Sequence, residues 1–168
     1  MRPPDDRTTR IDAGIVDIVV LTPVDASIAR RPADRWRVLT LRRGEGTRCT
    51  GGWEIVHGRV EAGERPADAA RREVLEETGL PVQRLYSVTV NPFYLHQVDT
   101  IHLAMVFAAV VKPAPIVLGP EHDASAWRSP RAANGVLAWP REHQAVRYAV
   151  HLLRRGDAGV VEDVLRIP

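Results

Sequence analysis

Runs of β-branched and apolar residues alternate along this chain with turn-rich polar stretches. Ile11–Leu21 (IDAGIVDIVVL) and Arg35–Arg43 (RWRVLTLRR) read as consecutive strands. The turn-rich PVDASIARRPAD between them predicts a hairpin with a long connection. Gly44–Gly52 reads as a flexible loop, and Trp53–Val60 as a short extended piece. Pro66–Thr78 is the clearest helix: Pro66 suits the first turn, Gly79 the position after the end, and Pro81 blocks continuation. Val82–Val90 and Thr100–Val111 predict strands joined by the loop NPFYLHQVD. Ala124–Ser129 predicts a last strand, Ser129–Leu137 a short helix and Pro140–Arg155 a longer one. Strands and helices mixed in this order point to an α/β or α+β class. A chain of 168 residues suits one domain with a real core. We place it at residues 11–168, behind a polar, Pro-containing tail over residues 1–10.

Composition narrows the classes. Hydrophobic content of 45% and charged content of 26% are ordinary for a globular protein. The formal net charge is only +2, so the basic pI of about 9.1 is a weak pointer to nucleic acid. Lys112 is the only lysine, and every other basic residue except histidine is arginine. Cys49 is the only cysteine, which excludes an internal disulfide and a cysteine-built zinc site. That usage fits a reducing, cytoplasmic location. The opening MRPPDDRTTR has no apolar signal-like region, and the longest apolar run, Leu103–Val111, is too short to span a bilayer.

The candidate chemistry sits in the predicted helix. Glu73, Glu76 and Glu77 share one helical face by their spacing. Each like-charge pair would cost an isolated helix roughly 0.2–0.5 kcal/mol. Arg71 and Arg72 relieve part of this, with Arg72 expected on another side of the helix. A solvated acidic face is the ordinary explanation of such a triplet. The alternative is a hard-metal site, where Mg²⁺ or Mn²⁺ draws oxygen ligands together.

The longer pattern decides between them. Gly58, five residues, Glu64, seven residues and then R-E-V-L-E-E-T-G-L from Arg72 to Leu80 fill every fixed position of a known motif. The chain resembles the Nudix hydrolase family, whose signature is G-x5-E-x7-R-E-U-x-E-E-x-G-U with U aliphatic. The resemblance implies an α/β/α sandwich with a mixed sheet between helices. It also implies metal-assisted hydrolysis of a phosphoanhydride. Gly58 would open the loop before the helix, Glu64 would brace Arg72, and Gly79 completes the motif. Glu76 and Glu77 would be primary ligands for Mg²⁺ or Mn²⁺. Glu73 would be a further ligand, or would orient or deprotonate the attacking water. The carbonyl of His57 would complete the coordination. Many members carry Pro-Gly-Gly where this chain has Val56-His57-Gly58. Either the loop takes a shape His tolerates or the local geometry differs, and the two readings of the His57 imidazole are a substrate contact and a loop histidine with no catalytic role.

The segment WEIVHGRVEAGE looks more like the branch that cleaves dihydroneopterin triphosphate or nucleoside triphosphates to a monophosphate and pyrophosphate. There Glu121 would be an extra metal ligand or the general base, with Asp123 a weaker substitute. Arg42, Arg43 and Arg48 are candidates for the distal phosphates, since a guanidinium suits bidentate phosphate recognition. Phe93 and Tyr94 are the stacking candidates for a base or pterin, because they lie in a predicted loop. Trp36, Trp53, Trp127 and Trp139 are expected to pack. The runner-up substrate is ADP-ribose or another nucleotide sugar, and the rival of another class is a non-catalytic nucleotide sensor. The expected partner is a small nucleotide or pterin phosphate, with a monomer or homodimer as the assembly. Nucleic acid is disfavoured by the few aromatics.

Overall fold

The computed structural model describes residues 8–25, 27, 29 and 32–168, so most of the expected N-terminal tail lies outside the described residues. The sheet is mixed. Strand β1 (Arg10–Pro23) runs parallel to β6 (Thr100–Val111), while β6 pairs antiparallel with β5 (Val82–Leu95). On the other side β1 meets β2 (Trp36–Arg43) only at Leu21–Pro23. Ahead of that contact, β4 (Val56–Arg59) pairs with β1 from Ile15 to Ile18, so β4 occupies the split where β1 and β2 part. The short β3 (Trp53–Glu54) and β7 (His122–Arg128) both pair with β2. The order through the main path is β3-β2-β1-β6-β5-β8, with β8 at Arg166–Ile167.

Two cores flank this sheet, and β1 feeds both. Val16, Ile18 and Val20 face one cluster, which includes Ala69, Ala70 and Val74 of α1 (Pro66–Thr78). Val19 and Leu21 face the other, which includes Ala145, Val146, Ala149 and Val150 of α3 (Pro140–Leu152). Side chains alternate across a strand, so a sheet covered on both faces needs an unbroken apolar run. The Ile15–Leu21 run meets that need except at Asp17, which is fully buried. The short α2 (Pro130–Asn134) lies beside α3, and Ser129 caps it by accepting from the Ala132 amide at 3.2 Å. The result is helix, sheet, helix. Among the described residues no helix is long and apolar enough to cross a membrane.

Helix α1 has the limits read from its punctuation. Gly79 takes φ 71° and returns its amide to the Leu75 carbonyl at 2.8 Å, the left-handed cap that favours glycine. The stretch NPFYLHQVD is not the loop read from sequence. Asn91 to Leu95 continue β5, paired with Ala104 to Thr100, and only His96–Asp99 turn. Pro92 is tolerated because β5 has no second neighbour there, since β8 reaches only Leu85 and Tyr86. The C-terminal elements, including α4 (Glu162–Leu165) and β8, carry no period that sequence reading detects.

Candidate active site

The acidic face of α1 looks across β4 at one glycine. Gly58 pairs with Val16 of β1, and a Cβ placed on it would collide with the Glu73 side chain. Glycine is needed here for close approach, not for an unusual φ. His57 is also an ordinary strand residue: the only described non-glycine residues at positive φ are Cys49 and Asp99. The Val56-His57 departure is therefore accommodated by strand geometry, with no strained turn. His57 lies opposite Asp17 in the β1–β4 register, and its Nδ1 is buried without a hydrogen-bond partner.

Arg72 is the hub of the site. Its Nε and Nη2 donate to the two carboxylate oxygens of Glu64 at 3.0 and 2.9 Å. Nη2 also reaches the Arg59 carbonyl at 2.9 Å. Nη1 donates to Glu73 at 2.8 Å and Glu76 at 3.1 Å. The fork thus serves the acidic face directly, which corrects the expectation that Arg72 lies apart from it. Glu64 in turn accepts from the Glu61 amide at 2.9 Å, so the 60–65 loop is tied to the helix. These donors hold Glu64 below the usual carboxylate range, its Arg72 bonds first among them.

Glu77 stands apart. Its Oε2 is buried and has no hydrogen-bond donor. Burial pushes its pKa up to about 9, with the charges of Glu73, Glu54 and Glu121 adding and Arg43 opposing. Around it a cavity of about 170 Å³ is lined by Glu73, Glu76, Glu77, Gly119, Pro120 and Glu121. Gly119 closes the far wall by donating to the Glu77 carbonyl at 3.2 Å, which brings the Pro-containing segment KPAPIVLGP, residues 112–120, onto the end of α1.

Glu121 comes to this cavity from outside the motif. It is 60% exposed and pairs with Arg43 Nη1 at 2.9 Å. The same Nη1 lies 3.1 Å from Glu54, and His122 Nε2 stands 3.0 Å from that carboxylate. Burial works against the Glu54 charge, yet His122, His57 and Arg43 together hold its pKa below normal. The buried Glu54–His122 pair was not singled out from sequence. Its one signal is a charged residue inside the apolar W-E-I-V run. Arg42 points to the other face of β2 and pairs with Asp123 at 2.7 Å, so of the two adjacent arginines only Arg43 faces the carboxylates. Arg48 donates to Gln97 at 2.9 Å.

Phe93 and Tyr94 lie on a strand, so they point to opposite faces of the sheet. Phe93 stacks on His102 at 5.2 Å and carries the Arg141 guanidinium 4.4 Å above its ring. Arg141 is also 5.2 Å from the Trp139 ring and makes a two-pronged pair with buried Asp17 at 2.8 and 3.2 Å. A cavity of about 360 Å³ opens beside this stack, lined by Phe93, Tyr94, Trp139 and Arg141 among others. Asp17 links the two regions: it holds Arg141 and sits opposite His57. Trp36 is buried and donates its indole N–H to the Leu153 carbonyl at 2.7 Å.

A mixed sheet between helices, with an Arg-centred carboxylate helix over a glycine strand, defines the class. The family model of the NUDIX domain matches residues 21–150, and the chain belongs to the Nudix family. It is 38% identical over 107 residues to an octanoyltransferase of Myxococcus xanthus, a match covering 62% of this chain and 29% of that protein. It is 42% identical over 40 residues to an RNA pyrophosphohydrolase of Cereibacter sphaeroides, covering 24% of this chain and 25% of that protein. The matches thus span less than a third of those curated relatives. Among solved structures, the Nudix domain of NrtR from Shewanella oneidensis, crystallised with ADP-ribose, superposes with a TM-score of 0.67. That match has 13% identity and covers 91% of this chain and 94% of that one, so it speaks to the fold alone.

Proposed function

We propose that the chain is a Nudix pyrophosphohydrolase that cleaves a nucleoside triphosphate or pterin triphosphate to a monophosphate and pyrophosphate. One observation carries the reading: Glu77 Oε2 is a buried acceptor without a donor, in a cavity walled by three further carboxylates. Such a group is costly unless something cationic answers it. As they stand, no three His, Cys, Asp or Glu side chains among the described residues are grouped to grip one ion. Glu73 and Glu76 turn to Arg72, and Glu121 turns to Arg43. Glu76 and Glu121 are 58% and 60% exposed, so a rotamer change frees either one. The donors are all hard oxygens, and the set fits Mg²⁺ or Mn²⁺.

In this reading Glu73, Glu76, Glu77 and the His57 carbonyl hold the ion, with Glu121 joining from the loop. The ion would supply charge neutralisation at the phosphates and lower the pKa of a bound water. The chain does the rest. Arg72 keeps Glu73 and the 60–65 loop in place. Gly58 lets Glu73 approach the strand, where Glu73 orients the attacking water or takes its proton. Arg43, once Glu121 turns from it to the ion, is the guanidinium for the distal phosphates, and the cavity walled by Tyr94 and Trp139 beside Phe93 takes the base or pterin. The Phe93 ring itself is taken, stacked on His102 and lying under the Arg141 guanidinium.

A panel of nucleoside triphosphates, dihydroneopterin triphosphate and ADP-ribose, run with Mg²⁺ and read by product mass, tests this. The expected outcome is pyrophosphate release from a triphosphate, with Glu77→Gln lowering kcat/KM by at least about 100-fold. Cleavage of ADP-ribose alone would replace the substrate assignment. Full activity of Glu77→Gln at limiting metal would overturn the site.

A further inference from the structure

The α2–α3 layer, across the sheet from the carboxylates, carries charge of the other sign. Between residues 130 and 156 the only acidic side chain is Glu142, and it is fully buried. Arg131 on α2, with Arg147 on α3 and Arg154 just past it, rim a groove of about 480 Å³. None of the three makes an ion pair among the described residues. Arg147 rests 5.6 Å from the Tyr148 ring, and Arg154 lies 3.1 Å from the His151 ring nitrogen. The floor is apolar, formed in part by Val146 and Val150. One polar atom in the lining is unanswered: Asn134 Oδ1 is buried and has no donor.

These features fit one kind of ligand. Cations around a shared opening repel one another, and an anion removes that cost. Guanidinium groups match phosphate oxygens in bidentate geometry. The apolar floor matches the flat face of a base or sugar. The volume falls within the range of small-ligand pockets, whereas a nucleic-acid strand calls for a longer track with aromatic platforms. We infer that this groove is a second anion site, separate from the carboxylate site, that takes a nucleotide-sized phosphate ester with its phosphates on Arg131, Arg147 and Arg154.

Titration calorimetry of the full chain with ADP, in excess EDTA, tests the inference without metal-dependent binding at the carboxylates. The expected result is one ADP site, weakened at least about 10-fold by the double change Arg147→Glu and Arg154→Glu. Metal-dependent hydrolysis should be unchanged in that variant. Arg131→Gln, a single exposed substitution, should weaken ADP several-fold and guards against a folding artefact. Four results would each overturn the inference: no heat at millimolar ADP, equal affinity in the variants, inorganic phosphate binding as tightly as ADP, or a ten-nucleotide RNA displacing ADP at far lower concentration. Because no turnover is read in the binding arm, its outcome is independent of the proposed hydrolysis.

Discussion

Glu77 carries the sharpest consequence of single-residue chemistry. Its pKa moves from an ordinary 4.5 up to about 9, with burial the largest cause. Between those values the folded chain retains a proton that the unfolded chain has released. Linkage then makes stability fall as pH rises through that window. In chelator, urea unfolding at about pH 5 and about pH 8 should show this decline. Glu77→Gln should flatten it, making the metal-free variant the more stable protein at the higher pH. Gly58 gives a second test. A methyl there collides with Glu73, and overpacking of this kind costs typically 1–3 kcal/mol. Gly58→Ala should lower the urea midpoint and weaken Mg²⁺ binding together. A loss of stability with unchanged metal affinity would show that Glu73 simply moves aside.

At the scale of elements, Arg72 joins α1 to the loop before it. Its side chain is 24% exposed and answers Glu64, Glu73, Glu76 and a backbone carbonyl. Solvent screens part of this, so Arg72→Met should cost about 2 kcal/mol, below the range for fully buried pairs. The exposed 60–65 loop should then become the first site of proteolytic nicking. Arg72→Lys should rescue little, because an ammonium cannot bridge three carboxylates and a carbonyl from one plane. Helix α1 itself was legible to the residue, since Pro66 and Gly79 are local signals that need no partner. Strand β5 was not. Asn, Pro and two aromatics read as a loop, but pairing with β6 carries the strand on to Leu95. Register with a neighbour outweighed local propensity there.

For the molecule as a whole, folding and ligation share one ledger. An ion that binds only the folded chain adds RT ln(1 + [L]/Kd), about 2.7 kcal/mol at 100 times the dissociation constant. Mg²⁺ should therefore raise the melting temperature of the wild type. The rise should vanish in Glu77→Gln, and calcium or no shift at all in the wild type would argue against a magnesium-type site. The same scale explains why the Arg141–Asp17 pair was invisible beforehand. Its partners are 124 residues apart and meet only because α3 packs across β1.

What the amino-acid order determined is whatever a local pattern can encode. It determined the helix with its proline start and glycine stop, the apolar strands, and the spacing that aligns Glu73, Glu76 and Glu77 on one face. It also determined the family, because the 23-residue motif from Gly58 to Leu80 is contiguous. Tertiary structure decided how those charges are answered. It turned Arg72 onto the acidic face, left Glu77 Oε2 without a donor, and put Glu121 against Arg43. It also made Val56-His57 plain strand by setting β4 beside β1. Each of these depends on which distant backbone lies within a few ångströms, and hydrogen bonds and charge pairs are decided at that range.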